Sequence, residues 1–212
     1  MMSTSPSASG TRLVPASRAD LCLEFADTRY WRGTQPSTES LHGIDDVVAW
    51  CRSMGTLDEA ADVALRAWWR DHPERAGAAF DEAVALRESI FTVFSDAAAA
   101  RAPAPDALDR LNRALAAAPA RANLRIADGA YVWELPAPTP DAASLLAPVL
   151  WSAGDLLTGP RLDRVRRCAN DKCLWLFLDE SKGGTRRWCS MSACGNRAKA
   201  HRHYAKKKRA AP

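Results

Sequence analysis

"RRCANDKCLWLFLDESKGGTRRWCSMSACGNR", residues 166–197, contains two cysteine pairs with the same internal spacing. Four residues separate Cys168 from Cys173, four separate Cys189 from Cys194, and fifteen lie between the pairs. Two such pairs can bring four sulfur atoms around one tetrahedral ion. Zinc suits this arrangement because it accepts four thiolates without any redox demand. We therefore expect one structural Zn²⁺, in a closed site with no position left for substrate.

Other arrangements of these cysteines stay open from the spacing alone. Two disulfides would need an oxidising compartment, and the first residues show no apolar core of the kind that a signal peptide has. Four cysteines can also hold iron. His201 or His203, on the helix expected after the last cysteine, could replace one thiolate.

Positive charge is concentrated at the C-terminal end of the chain. Residues 161–209 contain fifteen Lys or Arg against four Asp or Glu, a net charge of +11, whereas the whole chain carries +4. The rest of the chain must therefore carry −7. An acidic body with a basic C-terminal segment is typical of a protein whose end meets a polyanion. A solvated basic tail would show the same charge balance.

The basic residues follow the last cysteine in a helical pattern. "GNRAKAHRHYAKKKR", residues 195–209, contains no helix breaker, and Asn196 is a suitable N-cap. A cationic helix mounted on a zinc site predicts DNA binding, with Lys and Arg on phosphates and Arg on guanine edges. The residues expected to contact DNA are Arg186, Arg187, Asn196, Arg197, Lys199, Arg202, His203, Lys206 and Arg209.

A zinc module that binds RNA, or a protein partner of the transcription machinery, is the alternative function. RNA is often recognised by aromatic side chains that stack on unpaired bases. Trp175, Phe177, Trp188 and Tyr204 could do this only if they are exposed, and we expect most of them to be buried.

Residues 20–160 show mostly helical apolar spacing. One helix face carries Ile44, Val47, Val48 and Cys51. Thr56 followed by Glu59 has the capping-box pattern, which predicts the start of the next helix. Further helices are expected at 74–101, at 103–119 and from about residue 139 to Gly159-Pro160.

One segment of the body has a strand pattern instead. "NLRIADGAYVWEL", residues 123–135, alternates around Asp128-Gly129, which is a two-residue turn signal. We therefore expect a β-hairpin. Its inward-facing residues are expected to be Leu124, Ile126, Tyr131 and Trp133.

The body shows no catalytic constellation, and we do not expect an enzyme. It has no Gly-rich phosphate loop and no G-x-S-x-G motif, and its two histidines have no evident partners. Glu24, Asp27, Arg29 and Arg87 could form a polar ligand site or an internal ion-pair network, and the network is the favoured interpretation.

Two parts of the sequence resemble known families. "DESKGGTRRWCSMSAC" (Asp179–Cys194), continued by "CGNR" (Cys194–Arg197), resembles the CGNR zinc finger family. "DLCLEFADTR" (Asp20–Arg29) and the helical body resemble the ABATE domain, whose described role is stress-induced transcription regulation. The resemblance implies zinc on the four cysteines and a DNA-binding regulator.

Together these patterns predict a mainly α (α+β) fold. A disordered tail (1–17) precedes a helical domain with a β-hairpin (18–160), which senses a small-molecule effector or forms a homodimer. A small treble-clef-like zinc finger ending in a basic helix follows (161–209). No apolar run is long enough to span a membrane. We expect a cytoplasmic protein, and the abundance of Ala and Arg over Lys suggests a bacterial one.

Overall fold

A computed structural model of the protein describes residues 11–15, 18 and 20–200, and the fold within them is mainly helical, as predicted. The helices are α1 (Leu21–Ala26), α2 (Ile44–Ser53), α3 (Glu59–Asp71), α4 (Pro73–Ala98), α5 (Pro105–Ala117), α6 (Ala142–Leu145) and α7 (Ala147–Thr158), with a 3₁₀ turn at Leu162–Arg164. The strands are β1 (Thr11–Pro15), β2 (Arg29–Tyr30), β3 (Thr38–Glu39), β4 (Asn123–Ala127), β5 (Ala130–Pro136), β6 (Val165–Arg167) and β7 (Leu176–Leu178). Three antiparallel sheets result, in the orders β1-β5-β4, β2-β3 and β6-β7.

The long helix α4 lies at the centre of the body. Its buried side chains Leu86, Ile90 and Phe94 belong to one core with residues of α1, α2, α3, α5 and α7. Pro73 occupies the first turn of α4, where its missing N–H costs nothing. Among the described residues, no helix is long and apolar enough to cross a membrane.

The start of α3 differs from the capping-box prediction. Asp58 is the N-cap, and its side chain accepts a hydrogen bond from the Ala61 N–H. Thr56 instead donates its hydroxyl to the Cys51 carbonyl oxygen at 3.1 Å, at the end of α2. The carboxylate at the N-cap also interacts favourably with the positive end of the helix dipole, which stabilises the helix.

Residues 11–15 do not belong to the tail that the sequence predicts. They form β1, which pairs antiparallel with β5 from Thr11 opposite Pro136 to Pro15 opposite Val132. Arg12 is buried, and its guanidinium donates to the carbonyl oxygens of Thr56 (3.2 Å) and Ser144 (2.7 Å). The pairing partner lies more than a hundred residues away, so the local sequence gives no strand signal.

The predicted hairpin is present as β4 and β5. Asp128 and Gly129 both have positive φ values, 51° and 79°, as a two-residue turn that matches the twist of a hairpin requires. Three of the four side chains predicted to face inward are exposed. Leu124 and Ile126 are exposed and Tyr131 is 72% exposed, because this end of the hairpin extends past the body, whereas Trp133 is half-buried on the same face as Leu135. The buried apolar residues of the sheet are Val14 and Leu135, which pack against Ala147 and Trp151.

The C-terminal sheet β6-β7 packs directly on the helical body. Val165, Leu176 and Leu178 belong to the same core as α1 and α4. Gly33 approaches the segment after β6 so closely that a Cβ would overlap the Asp171 carbonyl oxygen. The Gly33 N–H donates to the Lys172 carbonyl oxygen at 3.2 Å. The two predicted domains therefore share part of one core.

Candidate metal centre

The four predicted metal ligands meet at one point. The Sγ atoms of Cys168, Cys173, Cys189 and Cys194 all lie within 4.8 Å of one another. Three of these cysteines are buried and Cys189 is half-buried. Residues from two separate segments thus form a single tetrathiolate cluster.

The first cysteine pair lies in a tight turn between β6 and β7. The N–H groups of Cys173 and Leu174 both donate to the Asn170 carbonyl oxygen, at 2.9 and 3.2 Å. Leu174 has a φ of 58°, a left-handed conformation that turns the chain sharply after Cys173. The Cys168 N–H donates to the Trp175 carbonyl oxygen at 2.8 Å, which closes the turn and aims both thiols to one side.

The second pair lies at the start of a helix. Ser190 caps a π-helical turn, Met191–Gly195, by accepting a hydrogen bond from the Ala193 N–H. The helix continues over 196–200 in the described part of the chain. Asn196 is therefore inside the helix and is not its N-cap, which corrects the prediction. The N-cap, Ser190, lies six residues earlier, and Cys194 therefore sits in the first turns of the helix, where it meets the other sulfurs.

The geometry of the cluster fits zinc. Zinc–sulfur bonds of about 2.3 Å at tetrahedral angles place sulfur atoms about 3.8 Å apart. The Cys173 and Cys189 sulfurs are 3.7 Å apart, and those of Cys189 and Cys194 are 3.8 Å apart. These separations are far longer than a disulfide bond, and none of the six cysteines is bridged. His201 and His203, the alternative ligands, lie outside the described residues.

The surroundings of the sulfurs also suit a buried metal. The Asn170 side-chain amide donates to the Cys194 sulfur at 3.3 Å, and such hydrogen bonds from outside the ligand set stabilise thiolates. Burial and the neighbouring thiols raise the pKa of Cys189 to about 12, so metal binding must displace protons there. Trp31, Trp175, Phe177 and Trp188 pack around the cluster. A site closed by four protein ligands is structural, because no ligand position is left for a substrate.

The turn between the two cysteine pairs is organised by Asp179, which the sequence analysis missed. Its carboxylate accepts hydrogen bonds from the Ser181 N–H (3.0 Å), the Ser181 hydroxyl (2.6 Å) and the Arg186 N–H (2.9 Å). The Ser181 hydroxyl, with these N–H groups, holds the pKa of Asp179 below its ordinary value. Asp179 thereby fixes the strand-to-turn geometry that places Arg186 next to the metal centre.

Five of the nine predicted DNA-contacting residues are described, and all five are exposed on the finger: Arg186, Arg187, Asn196, Arg197 and Lys199. The other four, Arg202, His203, Lys206 and Arg209, lie outside the described residues. Arg186 is held in place by hydrogen bonds to the carbonyl oxygens of Trp188 and Cys189, and its guanidinium lies 4.5 Å from the Phe177 ring centre. It is therefore less free to reach a polyanion than the other four.

A groove on the finger gathers several of these cations. Its volume is about 570 Å³, and it lies between the turn that carries Cys168 and the helix after Cys194. Lys172, Arg187 and Arg197 line it, and Asp171 is the one carboxylate in this lining within the described part of the chain. Lys172 was not predicted, because its role depends on the turn that brings it beside Arg187.

The polar group predicted in the body divides into two parts. Arg29 and Arg87 belong to an ion-pair network with Glu88, in which Arg87 also binds Glu39 through two hydrogen bonds of 2.6 Å. Glu24 and Asp27 take no part in the described network and line a separate cavity next to the finger. The network interpretation is therefore right for the two arginines, whereas Glu24 pairs with Arg18 outside this network and Asp27 forms no ion pair among the described residues.

Fold and site together define a helical body joined to a structural zinc finger. Residues 19–160 match the ABATE family, described as "Putative stress-induced transcription regulator", and residues 164–207 match the CGNR zinc finger family. Because the first match spans more than half of the chain, the protein belongs to the ABATE family. The four clustered cysteines hold a single structural zinc ion. No curated protein sequence matches the chain.

Proposed function

We propose that this protein is a zinc-dependent, DNA-binding transcription regulator. The zinc finger and the helix after Cys194 contact DNA, and the helical body senses a small molecule or holds two copies together. The observation that carries the proposal is the cationic groove beside the zinc site, where Lys172, Arg187 and Arg197 surround the start of a helix.

The arrangement of charges supports DNA as the partner. Cations on a rigid, metal-fixed mount can neutralise backbone phosphates without losing much conformational freedom. The aromatic residues that RNA stacking would need are not freely available among the described residues, since Phe177 is buried and Trp175 and Trp188 are half-buried. The geometry therefore favours a double-stranded polyanion.

The test is selection of genomic DNA fragments by the purified, zinc-loaded protein at about 150 mM salt, where nonspecific binding is weak. We expect one motif to be enriched and the enrichment to vanish when zinc is removed. With the selected DNA, a contact to 4–6 phosphates predicts a log–log salt slope near about −4 to −5.

Two variants locate the DNA-binding surface. Arg187→Ala and Lys199→Ala should each weaken DNA binding by about threefold to tenfold, because each removes one phosphate contact. Arg70→Ala, an exposed arginine at the end of α3, is the matched control and should leave affinity unchanged. Equal changes in DNA affinity in all three variants, or enrichment of random fragments only, would contradict the proposal and indicate that the partner is RNA or a protein.

The hairpin supports dimerisation within the same proposal. Leu124, Ile126 and Tyr131 form an exposed apolar face, and β4 is an edge strand of its sheet. Two copies that paired along β4 would satisfy its free edge in a symmetric interface and place the two apolar faces side by side. Ile126→Arg should then convert a dimer into a monomer in sedimentation, whereas Leu13→Arg on the opposite face should not. A wild-type monomer at high concentration would refute this part.

A further inference from the structure

A cavity of about 520 Å³ lies between α1 and the zinc finger. We call it the interdomain cavity. One wall is made by Leu23, Glu24 and Asp27 of the α1 region, and the facing wall by Trp175 and Phe177 of the finger. A space of this size accepts a ligand of drug-like dimensions.

Asp27 gives the interdomain cavity a buried polar group without a full set of partners. The residue is 2% exposed, and its Oδ1 accepts the Leu176 N–H at 3.1 Å. Its Oδ2 is buried and has no hydrogen-bond partner among the described residues. An amide oxygen would hold Leu176 equally well without a charge to desolvate. The carboxylate therefore carries a cost that the fold alone does not need.

Burial raises the pKa of Asp27 well above its ordinary value, because the charged form loses its hydration. A positively charged group in the interdomain cavity would favour the ionised form of Asp27. The Asp27 side chain is thus suited to bind a positively charged hydrogen-bond donor.

The charge around the interdomain cavity is negative. Of the residues that the structure describes, Asp20, Glu24, Asp27 and Glu180 line it, against Arg186 as the one cation. Arg18 pairs with Asp20 (3.2 Å) and Glu24 (3.3 Å), but its side chain is 60% exposed, so solvent weakens both pairs. Cys173, Cys189 and Cys194 also line the cavity, and zinc with four thiolates has a net charge of about −2.

Aromatic rings form much of the remaining lining. Tyr30 and Trp175 pack together with ring centres 5.2 Å apart, and Trp31 lies beside them. The Arg197 guanidinium already lies 4.5 Å from the centre of the Trp31 ring. These rings offer both apolar contact and the cation–π attraction that organic ammonium groups use.

We propose that the interdomain cavity binds a small organic cation with an aromatic or apolar body, whose ammonium group is held by Asp27 and Glu24. The aromatic rings of Tyr30 and Trp175 enclose the body of the ligand. This inference deepens the sensing part of the proposed function and rests on it for its regulatory meaning, while the binding itself needs no DNA.

The position of the cavity connects it to the DNA-binding segment. Cys189, Ser190 and Ala193, at the start of the basic helix, belong to its lining. A ligand that touches both α1 and this segment would change the free energy of any movement between them. If the protein binds DNA, the ligand and DNA must then change each other's affinity by the same factor.

The first test is calorimetric titration of the full, zinc-loaded chain with three indole compounds. Tryptamine carries an ammonium group, tryptophol a neutral hydroxyl and indole-3-acetate a carboxylate on nearly the same body. We expect tryptamine to bind at least about tenfold more tightly than the other two, as one charge-assisted hydrogen bond implies. Failure of tryptamine to bind at about 10 mM, or binding of tryptophol or indole-3-acetate with equal affinity, would overturn the proposal.

Acid-to-amide variants then locate the binding site. Asp27→Asn and Glu24→Gln should each weaken tryptamine binding by about tenfold or more, with Asp27→Asn melting at or above the wild-type temperature. Asp171→Asn, an exposed acid on the other face of the finger, is the matched control and should stay within about twofold of the wild-type affinity. Unchanged binding in both Asp27→Asn and Glu24→Gln would refute the assignment. Because the titration contains no DNA, it can fail or succeed whatever the DNA selection shows.

Discussion

At the scale of single residues, the body is stabilised by a partly buried ion-pair network around Arg87. The Arg87 guanidinium is almost fully buried, and it binds both oxygens of Glu39 at 2.6 Å and Glu88 at 3.0 Å. Arg32 donates to Glu88 at 2.6 Å from the other side. Burial opposes ionisation of Glu39 and Glu88, but the hydrogen bonds from these arginines outweigh it and lower both pKa values.

This network predicts acid sensitivity. Both glutamates are more acidic in the folded state, so their stabilisation is complete above about pH 5 and is lost as the pH falls below about 4.3, the ordinary glutamate value. Arg87→Met should lower the free energy of unfolding at pH 7 by about 2 kcal/mol, because it leaves the Glu39 carboxylate without an arginine partner and removes one of the arginines that bind Glu88. The difference from wild type should shrink below about pH 4.

Urea unfolding at a series of pH values measures this effect. Arg101→Met removes a pair in which Arg101 is largely exposed, and it is the control. It should cost less than about 1 kcal/mol at any pH. A constant cost of Arg87→Met from pH 3 to pH 7 would contradict the role of the glutamates.

At the scale of elements, β1 shows how a strand can depend on a distant partner. Val14 is 1% exposed and packs with Leu135, Ala147 and Trp151, whereas its neighbour Leu13 is 45% exposed on the other face. The pairing with β5 buries one face of this five-residue segment, and that partner lies more than a hundred residues away in the chain.

Matched substitutions test the burial of β1. Val14→Asn should destabilise the protein by about 3 kcal/mol, since it places an unpaired amide in an apolar contact. Leu13→Asn should cost less than about 1 kcal/mol, because its side chain is exposed. Denaturant unfolding of the two variants gives the comparison, and similar losses in both would show that β1 does not pack as described.

At the scale of the whole molecule, the zinc finger is continuous with the helical body. Val165, Leu176 and Leu178 share the core with α1 and α4, and Asp27 binds the Leu176 N–H across the junction. A metal site that orders β6-β7 therefore also completes the packing of the body.

Loss of zinc should consequently destabilise the helices and not the finger alone. Cys194→Ser should remove the metal and lower the melting temperature of the helical circular dichroism signal by about 10 °C, which corresponds to about 3–4 kcal/mol in a chain of this size. Cys22→Ala changes a cysteine that is fully buried in the body, and it should retain one zinc per chain. Zinc analysis and thermal melting together test this, and an unchanged helix transition without zinc would refute the shared core.

The metal centre was predictable because its signal is local and chemical. The spacing of Cys168, Cys173, Cys189 and Cys194 places four sulfurs on two short segments. Four thiolates complete the coordination of a structural zinc ion. The Asp128-Gly129 turn was predictable for a similar reason, since only a few residues adopt its backbone conformation. In contrast, the exposure of Leu124 and Ile126 could not be predicted, because it depends on where the helical body ends.

The sequence by itself determined the helical body, the hairpin, the zinc ligands and the concentration of positive charge beside them, since each follows from residue type and short-range spacing. Only the tertiary structure decided that residues 11–15 form a strand, that Lys172 joins the cationic groove, and that Asp27 faces the finger. These features arise from contacts between segments far apart in the chain, whose energies depend on packing and burial that no local pattern records.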